Sequence, residues 1–160
     1  ADMTVLSGRT IAEYCCGDSP MIAPFSGPEK FDWFDKRLSF GLSHCGYDIR
    51  LSETGSPITL EALGGFSLAH TLEKFDMPPM VVGVVHDKST LARLGVAVQN
   101  TVIEPGWRGY LTLEITAHSQ EVTLIPGMPI AQVLFHQLDR EVEGYDGKYQ
   151  DQKDAPVEAM

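Results

Sequence analysis

Lys88-Ser89-Thr90 stands at the head of the segment Leu91-Ala92-Arg93-Leu94-Gly95. If a short helix begins there, a cation, two hydroxyls and free backbone N–H groups meet in one place, which is what an anion requires. Arg93 lies one helical turn beyond Ser89, so the two share a face. A capped surface helix with a solvated lysine would carry the same letters. Ile103-Glu104-Pro105-Gly106-Trp107-Arg108-Gly109 brings an acid, a large aromatic and a cation to a tight turn between strands, as an ordinary hairpin also would. In the following strand pattern, Tyr110-Leu111-Thr112-Leu113-Glu114-Ile115, Glu114 falls on the face of Thr112 and Tyr110. On spacing alone it reads as a solvated strand carboxylate.

Metal and thiol chemistry find little support. The cysteines are Cys15, Cys16 and Cys45, an odd number with two adjacent, which gives neither a disulfide framework nor a CxxC zinc pair. His44, His70, His86, His118 and His136 are scattered, without the close spacing of a metal-binding helix, and read as structural or surface residues.

The elements that must position these residues are mostly strands. Ser7 offers an N-cap to a short helical pattern, Gly8-Arg9-Thr10-Ile11-Ala12-Glu13-Tyr14, after which Gly17, Pro20, Pro24 and Pro28 predict an irregular arm. From Gly46 onward short β-like runs follow one another at 47–52, 80–86, 96–103, 110–117, 121–125 and 130–138, separated by Gly, Pro and Asp. This spacing predicts a compact β-barrel or sandwich, interrupted by one capped short helix over 89–95. From about residue 139 the chain turns polar and reads as a mobile C-terminal tail. No internal repeat and no linker is present, so 1–160 is expected to form a single domain.

With 160 residues, 43% of them hydrophobic, the chain can bury one real core. No stretch approaches the roughly 18 apolar residues of a membrane helix, and no secretory signal is evident, so a soluble cytoplasmic protein without membrane contacts is expected. A formal net charge of -10 argues against a broad nucleic-acid surface but leaves room for a small anion where cations converge.

Taken together and in this order, Ser7-Gly8-Arg9-Thr10-Ile11, Gly46-Tyr47-Asp48-Ile49-Arg50-Leu51, the 88–95 and 103–109 segments, Leu111-Thr112-Leu113-Glu114 and Lys148-Tyr149-Gln150-Asp151-Gln152 resemble the motifs of dCTP deaminases, members of the dUTPase-like superfamily. Residues 30–46 and 53–79 carry no such match. The resemblance implies a mainly β, distorted barrel that assembles as a homotrimer, with each active site at a subunit boundary. It implies hydrolysis of dCTP to dUTP and ammonia without zinc, in keeping with the lack of the HxE and PCxxC signature of zinc deaminases.

The motif match makes Glu114 the proton carrier. It would deprotonate a water attacking cytosine C4 and return protons to N3 and to the departing ammonia, work suited to a partly buried carboxylate with a raised pKa. Ser89 and Arg93 would orient water and base beside it. Lys88 and Thr90 would bind phosphate oxygens, with Mg2+ carried on the triphosphate. Glu104 would face the deoxyribose 3'-hydroxyl, Trp107 would support the turn, and Thr112 would line the same face. Tyr145, Lys148 and Gln152 would close over the nucleotide. Glu104 stands where the family's turn usually carries Asp. A sister activity, dUTP pyrophosphatase, alone or combined with deamination to give dUMP, is the first alternative, because Ile130-Ala131-Gln132-Val133-Leu134-Phe135 is also similar to that group. A non-catalytic nucleotide-binding trimer is the second, and dTTP is a further expected ligand as feedback inhibitor.

Overall fold

The computed structural model describes residues 4–99 and 101–160. Ser7 caps α1 (Gly8–Tyr14) as expected, its hydroxyl accepting from the Thr10 N–H at 3.3 Å, and the helix buries Ile11 against the barrel. The arm that follows is not irregular throughout. It contains β1 (Ile22–Ala23), β2 (Glu29–Trp33) and β3 (Lys36–Leu42), the last two forming an antiparallel hairpin. Next come β4 (Tyr47–Arg50), β5 (Ile58–Leu60), β6 (Gly65–Asp76) and β7 (Val81–Asp87). After α2 (Ser89–Ala92) the chain continues through β8 (Val96–Val98), β9 (Val102–Ile103), β10 (Arg108–Ala117), β11 (Val122–Leu124) and β12 (Pro129–Gln137).

Among the described residues three sheets result: six strands in the order β2-β3-β4-β12-β7-β9, four in the order β1-β6-β10-β8, and the pair β11-β5. The pairings between the named strands are antiparallel. Period-two burial explains the packing: Val81, Gly83 and Val85 of β7 turn inward while Val82 and Val84 are half-buried. The inward residues of both large sheets meet in one core that includes Tyr47, Phe75, Leu113 and Phe135. A buried ion pair clamps the sheets together. Glu73 of β6, with no exposed side-chain surface, accepts from the Arg50 backbone N–H at 2.9 Å and from its Nε at 2.8 Å. Burial pushes the Glu73 carboxyl up and the Arg50 contacts oppose that push.

Three local expectations change. The run over 96–103 is two strands in different sheets, β8 beside β10 and β9 beside β7, with Asn100 outside the described residues. The turn after β9 is consequently a crossing between sheets and not a hairpin. At α2 the N-cap position falls on Lys88, which makes no side-chain cap, and the helix is a single turn ending before Arg93.

Candidate active site

β10 carries the carboxylate. Its Thr112 and Glu114 stand opposite His70 and Leu68 of β6, while a pairing irregularity between Tyr110 and Thr112 separates Tyr110 from that face. Thr112 and Glu114 line a cavity of about 540 Å3 and Tyr110 does not. Leu68 and Phe66 wall it from β6, Leu111 from β10, and Val102 and Ile103 from β9, so the carboxylate sits among apolar side chains. Glu114 Oε2 is buried with no hydrogen-bond partner among the described residues. Burial pushes the Glu114 carboxyl above the ordinary carboxylate range, because the charged form has lost water and gained no cation in exchange.

The turn between β9 and β10 brings two more expected residues to the same cavity, Glu104 and Trp107. The Trp107 N–H donates to the Glu104 carbonyl at 3.1 Å, with Pro105 and Gly106 as the central residues. Gly106 has φ +80°, the conformation that a type II turn requires at this position and that glycine supplies without strain. A Cβ there would come within 2.8 Å of Gly144 Cα and 3.0 Å of the Tyr145 nitrogen, so the absence of a side chain also lets the tail approach.

The tail lies against its own chain. The Tyr145 N–H donates to the Pro105 carbonyl at 2.8 Å, the Trp107 indole N–H to the Tyr149 carbonyl at 2.6 Å, and the Tyr110 N–H to the Gln152 carbonyl at 3.0 Å. Gln152 also forms a parallel bridge with Gly109, and Arg108 pairs with Asp151 at 3.0 Å. Tyr145, Tyr149, Gln152 and Val157 thereby become walls of the Glu114 cavity. Thr112 Oγ1 lies 3.2 Å from Gln152 Oε1 and accepts from the Val157 N–H at 3.0 Å.

One chain thus brings together Glu104, Trp107, Thr112, Glu114, Tyr145 and Gln152. It does not bring Lys88, Ser89, Thr90, Arg93 or Lys148 to this cavity. Lys88 is neither solvated nor free: its Nζ lies 3.3 Å from Asp48 Oδ2 and 3.2 Å from Ser39 Oγ, with little exposure. Ser89 and Arg93 are exposed, and neither makes a side-chain hydrogen bond or ion pair among the described residues. The Lys148 ammonium contacts the Met160 carbonyl and lies 5.2 Å from the centre of the Tyr149 ring. Phe66, Leu68 and Tyr149 were not expected at the cavity. Leu68 was hidden because β6 was not recognised as a strand. Among the described residues no three His, Cys, Asp or Glu side chains converge in a metal-binding group, and no helix is long and apolar enough to cross a membrane.

Comparison with known proteins gives this arrangement a context. A dCTP deaminase from Protochlamydia amoebophila is 35% identical over 160 residues, covering 83% of the chain and 85% of the relative. A dUMP-forming dCTP deaminase from Methanoculleus marisnigri is 42% identical over 103 residues, covering 60% of the chain and 55% of the relative. In three dimensions the chain superposes on the 2'-deoxycytidine 5'-triphosphate deaminase of Agrobacterium tumefaciens with a TM-score of 0.64 and 16% identity, over 86% of this chain and 49% of that one. It superposes on the EIAV dUTPase with a TM-score of 0.54 and 22% identity, over 80% of this chain and 98% of that one. The matched regions cover about half of the Agrobacterium and Methanoculleus proteins. The two superpositions establish a dUTPase-like fold. The dCTP deaminase-like family model matches residues 47–138, from the strand that carries Asp48 to the end of β12, so the chain belongs to the dCTP deaminase-like family.

Proposed function

We propose that the chain catalyses hydrolytic deamination of dCTP to dUTP and ammonia, with Glu114 as the group that moves protons. The observation that carries this reading is the state of Glu114: half-buried, one oxygen without a partner, and pushed up by burial at the wall of a cavity of about 540 Å3. A carboxylate so placed takes a proton from water more readily than a solvated one of lower pKa. The hydroxide equivalent adds to C4 of cytosine, and Glu114 passes the proton to N3. A second transfer, to the exocyclic nitrogen, lets ammonia leave as the C4 carbonyl forms. Leu68 and Leu111 put apolar surface beside these transfers.

Ser89 and Arg93 orient the water and the base. Because they lie outside the Glu114 cavity in one chain, the reading places them there from a neighbouring subunit of a homotrimer, a symmetry that closes the assembly with one site per boundary. Lys88 and Thr90 then contact phosphate oxygens, Glu104 the sugar hydroxyl, and Tyr145, Lys148 and Gln152 the closed tail. The chain's donor groups suit a Mg2+ ion held by the triphosphate and not by a protein cluster; such an ion would neutralise phosphate charge. dTTP shares the sugar and triphosphate and would compete at the same site. The reaction belongs with the soluble nucleotide pool of the cytoplasm.

A second reading, a dUMP-forming enzyme, is favoured by the Methanoculleus relative of that name. Cleavage after deamination needs a second water held near the α-phosphate by the acid of the 104–107 turn. Here that acid is Glu104, one methylene longer than aspartate, and a displacement of about 1 Å can cost roughly a hundredfold in rate. Incubation with dCTP and Mg2+, followed by separation of dCTP, dUTP and dUMP, tests both readings. Accumulation of dUTP with matching ammonia is expected. Release of pyrophosphate in step with ammonia would establish the second reading, and no ammonia would end both.

A further inference from the structure

His70 of β6 stands directly opposite Thr112 of β10, and Leu68 and Glu114 form the pair two positions along. Alternation therefore puts His70, Thr112 and Glu114 on one face of the sheet. Thr112 and His70 both engage the tail. Thr112 Oγ1 meets Gln152 Oε1 and the Val157 N–H, while His70 Nε2 lies 2.8 Å from Asp154 Oδ1. His70 is 7% exposed, a place where an apolar side chain would serve the core better unless the imidazole has a task. Beside it lies a second cavity of about 340 Å3, walled by Leu51, Ile58, Leu124 and Pro126 and by the hydroxyls of Ser52 and Thr54, in which His70 and Asp154 are the only ionisable residues among the described ones.

We propose that His70 is a positioning residue for the reaction: through Asp154 it latches residues 152–157 across the Glu114 cavity, more firmly when the imidazole is protonated. The consequence for turnover rests on the deaminase reading; the latch itself does not. A neutral imidazole can donate one hydrogen bond from Nε2, whereas the imidazolium makes a charge-assisted bond to the carboxylate, roughly twice as strong. Histidine is the side chain whose charge ordinarily changes between about pH 5 and 8.

Two carboxylates face His70. Asp154 approaches from the tail, and Glu114, diagonal to it on β10, is anionic when not protonated. The 51–58 segment presents backbone and hydroxyls, with the Ser52 N–H donating to the His70 carbonyl at 3.0 Å, and the 124–126 segment is apolar. Glu53 and Lys153 belong to these elements but do not line the cavity.

The test compares the parent protein with Asp154→Asn and His70→Gln between pH 6 and 8.5. Two quantities are read: amide hydrogen exchange over residues 145–157 without nucleotide, corrected for intrinsic rates, and kcat and KM for dCTP. Asp154→Asn should weaken tail protection and raise KM about two- to fivefold at pH 6, the size of one such partly exposed pair, with the ratio to the parent falling toward one at pH 8.5. KM should move more than kcat, His70→Gln should match it, and the double variant should add little more. A parent-to-variant ratio that is independent of pH in both readouts overturns the latch. Asp154 is exposed, so its variant keeps the fold even if His70→Gln does not. If no nucleotide is deaminated, the functional reading fails while the exchange measurement still decides the latch.

Discussion

Replacing Glu114 by glutamine removes a negative charge from a position where one oxygen is buried without a hydrogen-bond partner among the described residues, so the change should separate stability from turnover. A buried polar atom without a hydrogen bond costs about 1–3 kcal/mol, and an ion costs more. Glu114 keeps part of its surface exposed, which places the gain on neutralisation near the lower end, about 1 kcal/mol. For a chain of this size that is a rise in Tm of about 2–4 °C. The gain must depend on pH. The folded-state pKa of Glu114 lies above its unfolded value, so the parent loses stability relative to the variant as pH rises through the folded value. Below the ordinary carboxylate range both side chains are neutral and the two proteins should melt alike. Thermal unfolding at fixed protein concentration between about pH 4 and 8 reads the difference. In parallel, ammonia release from dCTP should fall by about two to four orders of magnitude, the usual share of a general acid–base group, while nucleotide binding survives. An equal Tm offset at both ends of the pH range, or near-parental turnover, refutes the reasoning.

Glu73→Ala leaves Arg50 as an uncompensated charge between the sheets and should cost about 3–5 kcal/mol in chemical denaturation; a loss under 1 kcal/mol would show that the clamp is dispensable. Gly106→Ala adds a methyl within 2.8 Å of Gly144 Cα and forces a left-handed backbone at a cost of about 1–2 kcal/mol. Proteolysis within 139–152 should accelerate while the barrel stays folded, and unchanged cleavage would count against the turn as the docking point. Mixing an inactive Glu114→Gln protein with an inactive Ser89→Ala protein should restore part of the activity through hybrid assemblies. A stable, active monomer in sedimentation would remove the basis for that complementation.

Strands with clean alternation, such as β7, β10 and β12, were readable within a residue or two at each end. β6, the longest strand, was not. Its Leu68, Ala69, Leu72 and Phe75 recur at helical spacing, among alanine, leucine, glutamate and lysine, and its buried Glu73 breaks the apolar face. The β2/β3 hairpin was hidden by its charge, since Lys30, Asp32, Lys36 and Arg37 read as loop until their cross-strand register is known. Glu104, Trp107, Thr112 and Glu114 were legible as two nearby segments of one recognisable pattern, and the structure gathers them on one cavity. The tail was expected to close over a nucleotide, but its particular contacts on its own chain were not legible, because backbone groups of Tyr145, Tyr149, Gln152 and Val157 make much of them and leave no signature in side-chain type. His70 and Asp154 are 84 positions apart, with nothing between them to suggest a partnership.

Residues 139–143, between the end of β12 and the Gly106–Gly144 contact, are exposed and act as a leash. A short flexible tether holds its cargo at an effective concentration of order millimolar, so contacts too weak to bind a free peptide keep the tail seated. Closure entropy grows only logarithmically with leash length, about 0.6 kcal/mol per doubling. Insertions there should hardly disturb docking, whereas severing the leash should make the same segment, supplied as a separate peptide, dissociate at ordinary working dilutions.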